Sequence, residues 1–266
     1  MTRIVVSFVP RMSFAVTAEA YDRFMGRYSS QLSPLLADFA DVRAGQTALD
    51  VGCGPGALTG ELVERLGAES VWAVDPTASF VSAVENRYPG VDARIAFAEA
   101  LPFTDQEFDR SIAQLVVHFM ADPIAGLTEM KRVTKPGGVV AACVWDYGGG
   151  RGAVSPFWDA ARQLDPDIDD ESELPGARHG HLVDLFAAAG LDAIEQTSLN
   201  VRVEHQTFAD WWEPFTLGVG PAGSYYRTLD TDGQAELRRV AETQVRQIPF
   251  TVDADAWAAR GTVPNG

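Results

Sequence analysis

The stretch Thr47-Ala-Leu-Asp-Val-Gly-Cys-Gly-Pro-Gly-Ala-Leu-Thr-Gly60 decides the fold of this chain. Its first residues are mostly apolar, and this run predicts a buried β-strand with the acid Asp50 near its end. Three glycines follow at alternate positions, Gly52, Gly54 and Gly56, and leucines at helical spacing come directly after them. The pattern therefore predicts a strand, a tight glycine loop and a helix.

The glycine loop is suited to hold a ligand close to the backbone. Without Cβ atoms a ligand can reach van der Waals distance from the main chain, and positive φ angles carry no steric penalty. A dinucleotide site would show the spacing Gly-x-Gly-x-x-Gly, with a pyrophosphate at the N-terminus of the helix. The different spacing here, and the Asp50 carboxylate that would repel a pyrophosphate, disfavour a nicotinamide-dependent oxidoreductase. A glycine turn that binds no ligand is the remaining alternative.

Residues 50–56, Asp-Val-Gly-Cys-Gly-Pro-Gly, resemble the class I S-adenosylmethionine-dependent methyltransferases, and the chain is similar to the bacterial type 11 group among them. The resemblance covers residues 18–146 well and the remainder loosely. It implies a Rossmann-like fold, S-adenosyl-L-methionine as the cofactor and S-adenosyl-L-homocysteine as the product. An acid at Asp50 suits a cofactor that carries an ammonium group and no phosphate. The residues that the resemblance places at the methionine part of the cofactor are Asp50, Gly52, Cys53, Gly54 and Gly56.

Two further segments are implied to hold the rest of the cofactor. Asp75 and Pro76 end the second predicted strand, 25 residues after the acid of the glycine loop, where doubly wound folds place the acid that bonds a ribose diol. Alternatively, Asp75 is only an acidic residue at the start of the next helix and does not contact a ligand. The resemblance puts the adenine after the third strand. Phe97 stands where many family members have Asp, so backbone groups of Ala98 and Glu99 are expected to make that contact.

Apolar runs alternate with helical patterns along residues 18–146. The predicted strands cover residues 48–51, 70–74, 93–97, 108–114 and 139–145. Such alternation with short links predicts an α/β fold with a parallel, doubly wound sheet. Two later strands, residues 191–203 and 254–263, bring the expected total to seven. The sheet is then mostly parallel, with an antiparallel last strand as in the resembled family.

The expected organisation of the chain has three parts. Residues 1–17 are a disordered extension, with Met1 and Met12 both open as the start. Residues 18–146 form the cofactor-binding Rossmann-like core, which begins with a helical segment over residues 18–41. Residues 147–266 form a substrate lid or insert, together with the remaining helices and strands of the same sheet.

Candidate residues for the methyl acceptor flank the predicted cofactor site. His118 follows the fourth strand, where a general base could take a proton from the acceptor; a buried histidine bonded to a carbonyl is the alternative. Gln114, which ends that strand, is expected near the sulfonium. Tyr21, Arg27 and Trp145 are the candidate substrate or lid residues. Tyr21 and Arg27 also fit an ordinary helix that covers the core.

Composition and charge argue against several partners. The net charge of −16 and the pI near 4.5, without a cluster of Lys and Arg, disfavour nucleic acid. The sequence contains no apolar run long enough to predict a membrane span and no cleavage site that would predict secretion. Cys53 and Cys143, the only cysteines, indicate a reducing, cytoplasmic location rather than a disulfide scaffold. His179 and His181 lack a third ligand, so no metal site is predicted, and the acidic stretch 165–173 is expected to be a solvated loop.

The sequence thus predicts an S-adenosylmethionine-dependent methyltransferase (EC 2.1.1 type) that acts on a small molecule. The methyl group of a sulfonium is already activated, so the protein needs mainly to align the acceptor in line and exclude water. A second interpretation is a non-catalytic protein that binds S-adenosylmethionine or S-adenosylhomocysteine as a sensor or partner subunit. The identity of the acceptor, the atom that is methylated and the oligomeric state stay open.

Overall fold

A computed structural model describes residues 17–245 and 247–265. The predicted N-terminal extension, with Met1 and Met12, lies outside these residues except for Thr17. Seven strands form one sheet in the order β3-β2-β1-β4-β5-β7-β6. The strands are β1 (Ala48–Val51), β2 (Val71–Asp75), β3 (Asp92–Ile95), β4 (Phe108–Gln114), β5 (Thr134–Trp145), β6 (Asp192–His205) and β7 (Phe250–Thr262).

The first five strands form the parallel part of the sheet. β1 pairs in parallel with β2 and β4, and β3 and β5 extend the sheet on either side. All residues of β1 are buried, as expected for a parallel strand that helices cover on both faces. The predicted doubly wound α/β fold with seven strands is confirmed. Its strand order reverses between β1 and β4, the switch point at which such sheets bind ligands.

β5 begins at Thr134, earlier than the predicted start at Val139. Thr134 is fully buried and pairs with Phe108 at the start of β4. The register then shifts before Arg110 pairs with Val139. The segment 134–138, which reads as a turn from the sequence, is therefore an irregular first part of the strand that the buried threonine anchors.

Helices connect the strands and cover the sheet. Between α1 and α2 the chain makes a π-helical turn, Asp22–Gly26, so the predicted helical segment over residues 18–41 is confirmed in outline. We call α1, this turn and α2 the N-terminal segment. The helices of the described chain are α1 (Ala18–Tyr21), α2 (Arg27–Phe39), α3 (Ala57–Leu66), α4 (Ala78–Arg87), α5 (Pro123–Val133), α6 (Ser155–Leu164), α7 (His181–Ala188), α8 (Phe208–Thr216), α9 (Gly220–Thr228) and α10 (Thr231–Gln244).

The last two strands form the antiparallel part of the sheet. β7 lies between β5 and β6 and pairs antiparallel with both, which confirms the predicted direction of the last strand. The part of the chain after residue 146 therefore adds two strands to the sheet. Of its helices, α7 leads into β6, and α6 and α8–α10 are additional. Within the described ranges, no helix is both long and apolar enough to cross a membrane.

Candidate active site

A cavity of about 220 Å³ opens at the carboxyl ends of β1, β2 and β4. A smaller cavity, of about 30 Å³, shares part of its wall and extends along the glycine loop. Every predicted cofactor residue except Gly56 lines one or both of them. The larger cavity includes Gly52, Gly54, Asp75, Pro76, Ala98, Glu99 and Gln114, and the smaller one includes Asp50, Gly52, Cys53, Gly54 and Gln114.

The glycine loop turns away from β1 in a conformation that favours glycine. Gly52, Gly54 and Gly56 all have positive φ angles, of 73°, 52° and 99°. A Cβ on Gly54 would meet no atom closer than 3.9 Å, so the open space beside this backbone is part of the cavity. A Cβ on Gly56 would lie 2.8 Å from the Tyr88 ring. Gly56 therefore allows α3 and α4 to pack closely, and the structure does not place it at the ligand cavity.

Two buried acceptor atoms at the smaller cavity have no hydrogen-bond partner among the described residues. Asp50 Oδ2 accepts a hydrogen bond from Thr59 Oγ1 at 2.7 Å, but Asp50 Oδ1 is unpaired. Gln114 Nε2 donates to the Ser29 carbonyl oxygen at 3.3 Å, and Gln114 Oε1 is unpaired. Burial, with a smaller contribution from the charge of Asp75, raises the pKa of Asp50 to about 7. A cationic donor in this cavity would satisfy both atoms and favour the carboxylate.

Asp75 links the glycine loop to the start of α4. Its Oδ2 accepts a hydrogen bond from the Gly54 amide at 3.0 Å, and its Oδ1 accepts one from the Thr77 amide at 2.8 Å. Burial raises the pKa of Asp75. The interpretation of Asp75 as an acid at the helix start therefore describes a real contact. Asp75 also forms part of the cavity wall, and its bond to a ribose diol stays a prediction. A carboxylate with two bonds has further lone pairs for a ligand hydroxyl.

The opposite wall of the larger cavity follows β3. The Glu99 carboxylate accepts hydrogen bonds from the amides of Ala121 and Asp122, at 2.7 and 3.2 Å, so it holds the loop that precedes α5. Phe97 lines the rim of the cavity and is 66% exposed. The side chain of Glu99 is thus committed to the wall, which leaves backbone groups of this segment for a ligand.

The central part of the chain matches a known family. Residues 49–142 match the sequence model of the methyltransferase domain, and this range holds β1 except Ala48, β2 to β4, most of β5, the glycine loop and nearly all of the cavity wall. Residues 49–142 thus form a methyltransferase domain of the type 11 group.

Similar proteins agree with this assignment. The chain is 34% identical over 128 residues to malonyl-[acyl-carrier protein] O-methyltransferase of Erwinia billingiae, covering 48% of this chain and 50% of that one. It is 32% identical over 124 residues to demethylmenaquinone methyltransferase of Paenarthrobacter aurescens, covering 47% and 46%. The chain thus spans about half the length of these curated relatives. The fold matches a Haemonchus contortus N-methyltransferase in complex with phosphomonomethylethanolamine and S-adenosylhomocysteine, with a TM-score of 0.57, 16% identity and coverage of 93% and 57%.

A third cavity, of about 20 Å³, shares Tyr21, Leu115 and Phe119 with the larger one. We call it the Glu171 chamber. Three predicted acceptor-side residues, Tyr21, His118 and Trp145, line it. The chamber is lined by Tyr21, Phe24, Met25, Leu115, His118, Phe119, Trp145, Tyr147, Val154, Glu171, Gly220 and Pro221.

His118 is buried in an apolar part of the chamber wall. Its ring lies 3.7 Å from the Phe119 ring, centre to centre, and its Nδ1 has no partner among the described residues. Burial lowers the pKa of His118 to about 3, so the imidazole is neutral at physiological pH. A neutral imidazole can accept a hydrogen bond, but this environment disfavours the protonated form that a general base must become.

Arg27 does not line either of the two cavities that hold the predicted cofactor residues. Both of its terminal nitrogens bond the Asp210 carboxylate of α8, at 2.7 Å each, and Nη1 lies 3.3 Å from His205 Nδ1. Arg27 thus attaches the N-terminal segment to α8. Tyr21, by contrast, lines all three cavities and packs edge-on against Phe80 of α4.

The histidines that suggested a metal have other contacts. His181 Nδ1 accepts a hydrogen bond from the Gly176 amide at 3.2 Å, and the His179 ring packs edge-on against Trp257. Among residues 17–245 and 247–265, no group of three or more His, Cys, Asp or Glu side chains is arranged to hold a metal.

The prediction of a solvated acidic loop over residues 165–173 is wrong at Glu171. This side chain is 3% exposed, and its Oε2 accepts a hydrogen bond from Trp158 Nε1 at 2.8 Å. The Tyr147 hydroxyl also hydrogen-bonds this carboxyl, and burial raises the pKa of Glu171 to about 7. No local pattern marks Glu171 or Tyr147 in the sequence, because α6 and the segment after β5 bury them together.

Proposed function

We propose that the protein transfers a methyl group from S-adenosyl-L-methionine to a small-molecule acceptor. The observation that carries this proposal is the unpaired, buried Asp50 Oδ1 beside Gly52 and Gly54. The methionine part of the cofactor has an ammonium group, and a buried carboxylate without a cation is costly unless a ligand supplies one. The residues present therefore fit this cofactor.

The other predicted cofactor residues complete the proposed site. Asp75 bonds the ribose hydroxyls with its remaining lone pairs, next to Pro76 in the same wall. Backbone groups of Ala98 and Glu99 contact the adenine, because the Glu99 carboxylate is already bonded to Ala121 and Asp122. Gln114, between the two cavities, lies near the sulfonium, and Cys53 contacts the methionine part.

When bound, the cofactor supplies a methyl group that is already activated for displacement. The chain then has to hold the acceptor in line and keep water out, and alignment of this kind is worth roughly 7–11 kcal/mol. Tyr21, Leu115 and Phe119 form the wall common to the cofactor cavity and the Glu171 chamber, so we place one end of the acceptor in that chamber, next to Trp145. The low pKa of His118 makes this residue a weak candidate for the base.

Charge and composition support the choice of partners. A net charge of −16 opposes a nucleic acid acceptor. The two relatives named above are named for the methylation of malonyl-acyl-carrier protein and demethylmenaquinone, which supports an organic acceptor. Cys53 and Cys143 are free and buried, which supports a reducing, cytoplasmic location.

Thermal unfolding and calorimetric titration with S-adenosylmethionine, S-adenosylhomocysteine and NAD test the proposal. A ligand at 100 times its dissociation constant stabilises the protein by about 2.7 kcal/mol, and we expect this for the two sulfur compounds only. Asp50→Asn should weaken their binding at least about 30-fold, because loss of one partner of a buried, hydrogen-bonded charge pair costs about 2–5 kcal/mol. The control Asp105→Asn, at an exposed ion pair with Arg132, should bind as the unchanged protein does.

Three outcomes would contradict the proposal in different ways. No stabilisation by either sulfur compound would remove the cofactor assignment. Equal binding by the Asp50→Asn and Asp105→Asn variants would remove Asp50 from the site. Binding of S-adenosylmethionine without product on a broad panel of acceptors would favour the non-catalytic binding protein instead.

A further inference from the structure

The Glu171 chamber has an unusual combination of linings. Its wall includes the rings of Tyr21, Phe24, Phe119, Trp145 and Tyr147. Within the described part of the chain, its only charged lining residue is a glutamate, and neither Lys nor Arg contributes to the wall. A volume of about 20 Å³ admits a group about the size of one water molecule. The chamber therefore suits one small polar head group rather than a whole acceptor.

Glu171 is held in place by neutral donors and not by a cation. Trp158 Nε1 donates to its Oε2 at 2.8 Å, and the Tyr147 hydroxyl bonds the same carboxyl. The nearest arginine of α6, Arg162, bonds the neighbouring Asp170 at 2.7 Å instead. In the described residues, Glu171 thus has no salt-bridge partner of its own. Among these residues no positive charge compensates the Glu171 carboxylate, so a cationic ligand would supply the missing one.

The charges of the chamber discriminate among possible acceptor groups. An anionic acceptor would meet a buried carboxyl, and no cation of the wall would offset the repulsion. An ammonium group gains from the carboxylate, and His118 Nδ1, which is buried without a partner among the described residues, is available to accept a hydrogen bond from one of its N–H groups. A neutral hydroxyl would use the hydrogen bonds but not the charge.

We propose that the Glu171 chamber is the subsite for the protonated amine head group of the methyl acceptor, with Glu171 as its counter-ion. The reaction is then N-methylation. This inference rests on the proposed methyl transfer and names the acceptor class for that same site. The indole N–H of Trp145, which is buried without a partner among the described residues, is left to bond an oxygen or nitrogen acceptor elsewhere on the same molecule.

Methylation of an ammonium group requires that it first lose a proton. The Glu171 carboxylate takes this proton, and the free nitrogen lone pair forms a bond to the methyl carbon while the carbon–sulfur bond breaks. The products are a methylated ammonium ion, S-adenosylhomocysteine and a protonated Glu171, which returns its proton to solvent on product release. A carboxyl with a pKa of about 7 is suited to both steps near neutral pH.

Several titratable groups face or adjoin Glu171. Tyr21 and Tyr147 keep their protons because burial raises the pKa of each hydroxyl well above its usual range. His118 is neutral because burial lowers its pKa. The negative charge of Asp170 adds to the effect of burial on the pKa of Glu171. Among these groups, Glu171 is therefore the one that changes charge between pH 6 and 8.

The test uses acceptor probes that differ only in the head group. With S-adenosylhomocysteine present at saturation, binding of 2-phenylethylamine, 2-phenylethanol and phenylacetate is measured by calorimetry, together with the propyl and hexyl members of each class. We expect the amines to bind, with a dissociation constant that falls about tenfold from pH 6 to pH 8 as Glu171 ionises. Turnover of the amines with S-adenosylmethionine should yield the N-methyl product.

Glu171→Gln is the main variant, because the amide keeps an oxygen for Trp158 and removes only the charge. It should lose at least about tenfold in amine affinity and lose the pH dependence. The matched control is Glu173→Gln, in the same turn, whose carboxylate is exposed and pairs with Arg178 at 3.1 Å. This control should retain both the affinity and its pH dependence.

Saturation with S-adenosylhomocysteine separates the two levels of proposal. If that ligand fails to stabilise the protein, the proposed function fails and the acceptor class falls with it. If it binds and the alcohols or carboxylates bind as well as the amines, or no probe binds, the amine subsite is wrong while the cofactor site stands. An amine affinity that is the same in Glu171→Gln as in Glu173→Gln would also overturn the role of Glu171.

Discussion

Gly52 and Gly54 stand two residues apart in the same loop, but a side chain would act differently at each. A Cβ on Gly52 would lie 2.5 Å from Val116 Cγ2, whereas a Cβ on Gly54 would lie 3.9 Å from the nearest atom, Tyr21 Cε1. Both positions have positive φ, of 73° and 52°. The backbone penalty is therefore common to both, and the steric clash belongs to Gly52 alone.

We expect Gly54→Ala to lower the free energy of unfolding by about 1–2 kcal/mol, the cost of a left-handed conformation. Gly52→Ala should cost about 1–3 kcal/mol more, because its methyl group is overpacked against Val116. In a Val116→Ala background, most of this extra cost should disappear, because both γ-methyl groups are gone and only the Cβ of residue 116 remains, at 3.1 Å. Urea unfolding of the single and double variants measures these differences. Equal costs for the two alanines would show that the loop adjusts to remove the clash.

The N-terminal segment covers the cavities as one element, and two ion pairs of different quality attach it to α8. Arg27 bonds Asp210 through both terminal nitrogens at 2.7 Å, with side chains 40% and 30% exposed. Arg23 approaches Glu213 through one nitrogen at 3.3 Å, with side chains 57% and 61% exposed. The sequence marked Arg27 as a substrate or lid residue. The structure indicates that it positions the segment that carries Tyr21.

Double-mutant cycles compare the two pairs within one element. We expect a coupling free energy of about 1 kcal/mol between Arg27→Met and Asp210→Asn, because the pair is bidentate and partly buried. The pair Arg23→Met and Glu213→Gln should couple by less than about 0.3 kcal/mol, since both ends are solvated. Chemical denaturation of each set of four proteins gives these values. A coupling at Arg27 as small as that at Arg23 would mean that helix packing alone holds the segment.

Across the whole molecule, buried carboxyls and buried histidines oppose each other in the pH dependence of stability. Burial raises the pKa of Asp50 and of Glu171 to about 7, above the unfolded value near 4. Their contribution to stability is thus present at low pH and is lost as pH rises toward 7. Burial lowers the pKa of His118 to about 3 and of His205 to about 4. The unfolded histidines bind protons below about pH 6.5, so their effect on stability has the opposite sign.

Removal of one buried carboxyl and removal of one buried histidine should shift the slope of the free energy of unfolding against pH in opposite directions. Between pH 4.5 and 6, His118→Asn should make the free energy of unfolding fall more steeply with rising pH, by at most about 1.4 kcal/mol per pH unit. Over the same interval, Asp50→Asn should make the slope of the free energy of unfolding against pH more positive, by up to the same amount per pH unit. Urea unfolding at a series of pH values measures both slopes. Curves that run parallel to that of the unchanged protein would show that these groups titrate alike in the folded and unfolded states.

The sequence predicted the features that depend on local pattern. The alternation of strands and helices, the glycine loop after Asp50 and the acid at Asp75 all follow from residue order and spacing, and β4 has the predicted bounds. Features that depend on tertiary packing were not predictable in this way. Glu171 lies in an acidic stretch that looks solvated until α6 brings Trp158 against it. The early start of β5 likewise depends on the pairing of Thr134 with Phe108.

The position of β7 between β5 and β6 has a consequence during synthesis on the ribosome. The outer edge of β5 stays unpaired until residues 250–262 emerge, because β7 is the strand that pairs with this edge in the described part of the chain. The parallel strands β1 to β5 precede that point by more than 100 residues. The nascent chain can therefore assemble its glycine loop early but carries an open sheet edge, the type of surface that aggregates or binds chaperones, until its last strand arrives.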